Sequence, residues 1–132
     1  MRRESRLTDL KIHVDRDSVA AGDDVEQHKK TVSVRHSTDM LVMLSHLLVK
    51  YPLPQIAGGK ATWIISRTSK FGTRFPYDAI AVMAQQWNLP NLLASPDTAA
   101  HLDADGSMTL YFKYMAQKSP DDVMSALKVL ER

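Results

Sequence analysis

The chain of 132 residues contains no cysteine. That absence removes disulfides, thiolate zinc sites and cysteine nucleophiles together, and it fits a reducing compartment. Glycine is also scarce, at five residues, and none stands in a phosphate-cradling pattern. Gly58-Gly59-Lys60-Ala61-Thr62 has Pro54 where a phosphate loop needs its first glycine, and Ala61 where it needs Ser or Thr. The segment reads as a turn before a strand. Asp103-Ala104-Asp105-Gly106-Ser107 likewise lacks the third acid and the closing glutamate of a calcium loop and reads as a plain turn.

An excess of charge of one sign is missing too. Seventeen basic residues against fifteen acidic ones leave +2, too little to argue for nucleic acid on bulk charge. Long apolar runs are absent: Met40 to Val49 is the longest, includes Ser45 and His46, and falls far short of the roughly twenty residues a membrane span needs. Met1-Arg2-Arg3-Glu4-Ser5-Arg6 has no apolar core of the signal-peptide kind. The expectation is a cytoplasmic protein without a membrane partner.

Catalytic signatures are equally thin. His13, His28, His36, His46 and His101 show no i, i+4 pair and no His-Glu motif, and no serine lies in a Gly-x-Ser-x-Gly elbow. The sequence assigns no catalytic residue, no metal ligand and no cofactor. A metal site, or a serine with a histidine base and an acid, stays open as a constellation assembled only in the fold.

What is present is an ordinary globular composition, 44% hydrophobic and 24% charged. A chain of this length can bury roughly two thirds of its unfolded surface in one core. We expect one domain over residues 1–132, with residues 1–6, carrying Arg2, Arg3 and Arg6, as a flexible basic tail.

Periodicity supplies the elements. Leu10-Lys11-Ile12-His13-Val14 alternates strictly and predicts a strand with one buried face. Asp15 to Lys30 is polar and acidic and predicts a long exposed loop, after which Thr31-Val32-Ser33-Val34-Arg35 alternates again and could close an open hairpin. Two candidate caps, Ser37 and Thr38, and the acid Asp39 precede apolar residues at helical spacing, predicting a helix from about Thr38 to Lys50 that Pro52 and Pro54 end.

Ala61 to Arg67 is an apolar, β-branched and aromatic strand signal, and Tyr77 to Trp87 a second apolar run. That second run fits either a helical or a strand face and is read as a strand because it would pair with its neighbour. The connection between them, Thr68 to Pro76, is basic and aromatic. Leu89 to Leu93 reads as an apolar turn or a single helical turn, and Asp97 to His101 as a short helical piece. Met108 to Met115 is the clearest strand, with Met108, Leu110, Phe112 and Tyr114 on one face. Ser119 as cap, Pro120 at the first position and Asp122 at the third open a last helix whose buried stripe is Val123, Met124, Leu127 and Leu130. The expected architecture is an α+β single layered domain, a mixed or antiparallel sheet of about five strands with two main helices on one face, in the order β-β-α-β-β-β-α.

Two stretches are the sequence's candidates for meeting a partner. One is the acidic segment with Asp15, Asp17, Asp23, Asp24 and Glu26; the other is the basic connection in which Lys70 and Arg74 flank Phe71 and Phe75. The amides Gln85 and Gln86 end a strand and either satisfy backbone groups or line a recognition surface. Charged loops without a catalytic motif are more easily explained as those of a protein-binding module than of an enzyme.

In its size, its layered α+β organisation and the strand-end sequences Ala81-Val82-Met83-Ala84-Gln85-Gln86-Trp87 and Phe112-Lys113-Tyr114-Met115-Ala116-Gln117-Lys118-Ser119-Pro120, the chain resembles the small immunity proteins that bacteria make against their own secreted or contact-delivered toxins. The resemblance implies a protein partner, a cognate toxin, neutralised when an acidic loop blocks a basic cleft and aromatic residues anchor the contact. Two other readings are a small enzyme or ligand-binding domain with a pocket between sheet and helix, and a nucleic-acid-binding domain using Lys70 to Phe75.

Overall fold

A computed structural model describes residues 9–19, 28–67 and 78–130, the side chains of residues 129 and 130 excepted, so the expected basic tail lies outside the described residues. The alternating run near the start forms β1 (Asp9–Arg16), with Leu10, Ile12 and Val14 buried. It pairs antiparallel with β2 (Lys30–Arg35), Ile12 opposite Val32, which closes the hairpin the two runs predicted. The strand runs further than the alternation suggested: Asp15 and Arg16 belong to β1, because they pair with Tyr111 and Phe112 on its other side.

Helix α1 spans Met40–Lys50. Its cap is Asp39, whose carboxylate accepts from the N–H groups of Leu41 and Val42 at 2.9 and 3.4 Å. Ser37 serves one step earlier, its hydroxyl accepting from the Asp39 N–H at 3.1 Å. Gly58 and Gly59, at φ +93° and +69°, then turn the chain into β3 (Thr62–Arg67). The ambiguous run after it is a strand, β4 (Ala79–Ala84), antiparallel to β3 with Ile80 as the extra residue of a bulge opposite the Ile65–Ser66 step.

Where a turn or helical turn was expected after Leu89, Asn91–Leu92 forms a two-residue edge strand, β5, on β4. Pro90 is buried there, and the Leu93 N–H reaches the Ile80 carbonyl at 2.7 Å, so pairing to the sheet satisfies the backbone that a helical turn would have satisfied internally. A 3₁₀ turn (Thr98–His101), β6 (Met108–Tyr114) and α2 (Pro120–Leu130) complete the chain.

The result is an α+β domain in which the described residues form a mixed six-stranded sheet in the order β2-β1-β6-β3-β4-β5. Among the described strands only β1 and β6 run parallel. The helices do not share a face as expected. Met40, Met43, Leu44 and Leu47 of α1 join Leu10, Ile12, Trp63, Ile65, Leu110 and Phe112 in one cluster, whereas Val123 and Leu127 of α2 join Ile64 and Val82 in another. Adjacent strand residues point to opposite sides of a sheet, so Trp63 and Ile64 sit under different helices. This is why β3 and β4 read as unbroken apolar runs while β1 and β6 alternate.

Candidate protein-binding surface

Helix α2 packs on the β3 and β4 portion of its face, and among the described residues no other element covers that face across β2, β1 and β6. The residues there alternate with the core: Lys11, His13 and Asp15 on β1, Thr31, Ser33 and Arg35 on β2, Thr109, Tyr111 and Lys113 on β6. Lys11, Thr31, Ser33 and Arg35 are exposed, the others half-buried. Facing pairs follow from the register, His13 beside Thr109 and Asp15 beside Tyr111.

Three hydrogen-bonded groups fix this surface. At one end the Asp17 carboxylate accepts from the Tyr111 hydroxyl and from the Tyr114 N–H at 2.9 Å, and pairs with the Lys113 ammonium at 3.4 Å. Burial, and then the hydrogen bond to Asp17 and its charge, hold the Tyr111 hydroxyl pKa well above the ordinary tyrosine range. At the other end Asp103 pairs with the Arg67 guanidinium at 3.4 Å and accepts from the Thr109 hydroxyl at 2.7 Å. Beside it the Ser107 hydroxyl and N–H both donate to Asp105, at 2.6 and 3.0 Å, and hold that carboxyl below its usual range. In the middle, His13 Nδ1 lies 2.9 Å from the Thr31 hydroxyl across the strand pair.

Of the acids expected in an exposed loop, Asp15 stands half-buried on the open face as a strand residue, and Asp17 turns its carboxylate into the fold. Asp23, Asp24, Glu26, Lys70, Phe71, Arg74 and Phe75 lie outside the described residues. Gln85 is structural: its carbonyl oxygen accepts from the N–H groups of Ile56 and Ala61, both at 3.3 Å, and its amide donates to Gln55 at 3.2 Å, pinning the glycine turn. The histidines lie apart. His28 is 3.0 Å from the Ser18 hydroxyl, His101 is 2.8 Å from the Ser95 carbonyl, and His46 is exposed on α1. Sequence reasoning passed over Tyr111, Lys113 and Thr109 as surface residues, although the alternation that buried Leu110 and Phe112 already placed them on the opposite face.

Ser66, paired with Tyr111 across β3 and β6, is 1% exposed and its hydroxyl has no hydrogen-bond partner. An unpaired buried hydroxyl costs on the order of 1–3 kcal/mol. Ser66→Ala is therefore expected to leave stability unchanged or raise it by about 1 kcal/mol in urea unfolding, where loss of a true hydrogen bond would lower it.

Among the described residues no helix is long and apolar enough to cross a membrane, and no group of three or more His, Cys, Asp or Glu is placed to hold a metal ion. Compared with protein-family models, curated proteins and solved structures, the chain gives no significant match.

Proposed function

We propose that the chain is a non-enzymatic protein-binding module, an immunity-type protein that neutralises a cognate bacterial toxin by binding and blocking it. The observation that carries this reading is the half of the sheet that α2 leaves uncovered among the described residues, a polar platform of mixed charge on which Asp17 holds Tyr111 and Lys113, Asp103 holds Thr109, and His13 meets Thr31. A surface fixed before contact loses little conformational freedom on binding, which favours tight association. Tyr111 supplies an aromatic anchor of the sort enriched at interfaces, and Asp15 an acid facing outward beside it. The sequence after β1 carries further acids, Asp23, Asp24 and Glu26, whose charge suits a basic toxin cleft.

The test is co-expression with the product of the adjacent gene. A one-to-one complex that survives gel filtration, together with restored growth of cells expressing that product, is the expected result. Asp15→Lys is expected to weaken the complex by about tenfold or more while leaving the unfolding midpoint close to wild type. No complex and no protection would sink the toxin reading.

A further inference from the structure

At the far side of the platform, β2 is the outermost of the described strands, and among the described residues β1 is its one neighbour in the sheet. In such a strand alternate N–H and C=O groups turn away from the sheet and can receive another strand. Among the described residues the surroundings of this edge are unevenly charged. Lys29, Lys30 and Arg35 are exposed along it, Lys11 is exposed beside it on β1, and the Lys50 ammonium at the end of α1 reaches across to donate to the Ser33 carbonyl at 2.6 Å. Asp9, opposite Arg35, is the one acid in this set. Among the described residues no ion pair joins Lys11, Lys29, Lys30 or Arg35 to a carboxylate, although the chain as a whole is nearly balanced at +2.

We infer that the edge of β2 away from β1 receives an extended acidic segment of a protein partner as an added strand, its backbone pairing with β2, its carboxylates meeting Lys30 and Arg35 and drawing the Lys50 ammonium off the Ser33 carbonyl. The inference rests on the protein-binding reading and adds to it a second surface and the chemistry of the segment that fits there. Charge selects the occupant. A second copy pairing antiparallel through β2 would set Lys30 against Arg35 and bring two sets of cations together, which repels it. An acidic strand meets the same cations as counter-charges, gaining affinity from the backbone ladder and selectivity from the side chains.

A short fluorescein-labelled peptide alternating Glu and Val is the probe, titrated against the full chain by anisotropy and by amide shift mapping. Saturable binding is expected, with the largest shifts in Lys30 to Arg35. The double variant Lys30→Glu, Arg35→Glu should weaken binding by about tenfold or more with its unfolding midpoint kept. The same peptide with every second amide N-methylated on the pairing edge keeps its charge and loses its ladder, so it should bind far more weakly.

Absence of binding to folded wild type would overturn the inference. Equal binding of the methylated peptide, or shifts that map away from β2, would overturn it as well, since charge attraction alone would then suffice. Failure of the toxin complex alongside peptide binding would remove the toxin reading and keep the edge. Capture of the toxin without peptide binding would do the reverse.

Discussion

Asp17→Ala is expected to destabilise the protein by about 2–4 kcal/mol in urea unfolding. The carboxylate receives the Tyr111 hydroxyl and the Tyr114 N–H and pairs with Lys113. Hydrogen bonds to a charged acceptor are each worth about 1.5–3 kcal/mol, and removal of the acceptor also leaves the half-buried donors to be resolvated. The ion pair adds little, because the Lys113 side chain is 41% exposed.

The contact joins residues 94 and 97 positions apart and ties the end of β1 to β6, the one parallel pair among the described strands. Asp17→Asn, which keeps a single acceptor oxygen, should lose roughly half as much. Tyr111→Phe and Asp17→Ala should be less than additive in the double variant, because both delete the same bond. The pair also sets an alkaline limit. The Tyr111 hydroxyl titrates above its ordinary value, from burial first and then from Asp17. Its contribution is complete below the unfolded tyrosine pKa of about 10 and is lost as pH rises beyond it, because the native state then holds more protons than the unfolded one. Tyr111→Phe should flatten that alkaline loss.

These residues show why the fold was more legible than the site. Alternation in Leu10 to Val14 and Met108 to Tyr114 depends on each strand having one wet face, a local property, so β1 and β6 could be read directly. The final helix was similarly plain, because Ser119, Pro120 and Asp122 carry its start within a few residues. The opposed placement of the two helices was hidden. An unbroken apolar run such as Trp63-Ile64-Ile65 shows that both faces are covered but not by what.

Asp17 misled for a related reason. An acid in a polar stretch reads as solvated, and only the parallel alignment of β1 with β6 brings Tyr111 and Tyr114 to it. The edge strand β5 escaped because two residues carry no period. The basic margin of β2 was dispersed among Lys11, Lys29, Lys30, Arg35 and Lys50, so no run of charge marked it in the sequence.

Trp63→Ala should be the most damaging single truncation considered, at about 3–5 kcal/mol. Trp63 is 1% exposed, lies in the cluster under α1, and packs its ring against Tyr114 with centroids 4.9 Å apart. Its removal deletes the largest buried side chain of β3 and opens a cavity in the cluster it shares with Leu44, Leu47 and Phe112. Tyr114 loses its stacking partner one strand away from Asp17, so the loss spreads toward the end of β6 that Asp17 clamps. Trp63→Phe keeps a ring against Tyr114 and should retain more than half of the stability that alanine removes. Since small domains are stable by only about 5–15 kcal/mol, the alanine variant should unfold at markedly lower urea. Ile64→Ala, on the opposite side under α2, should cost about 2–4 kcal/mol through a different cluster and leave the Trp63 environment intact. In a Trp87→Phe background, which removes the second indole from the α2-side cluster, a Trp63 fluorescence spectrum that stays native-like in Ile64→Ala and a urea midpoint that falls furthest in Trp63→Ala would bear out two cores separated by one sheet. Near wild-type stability in Trp63→Ala would mean that the indole is not part of the core and that the sheet is held together mainly by its ladder and by contacts such as Asp17.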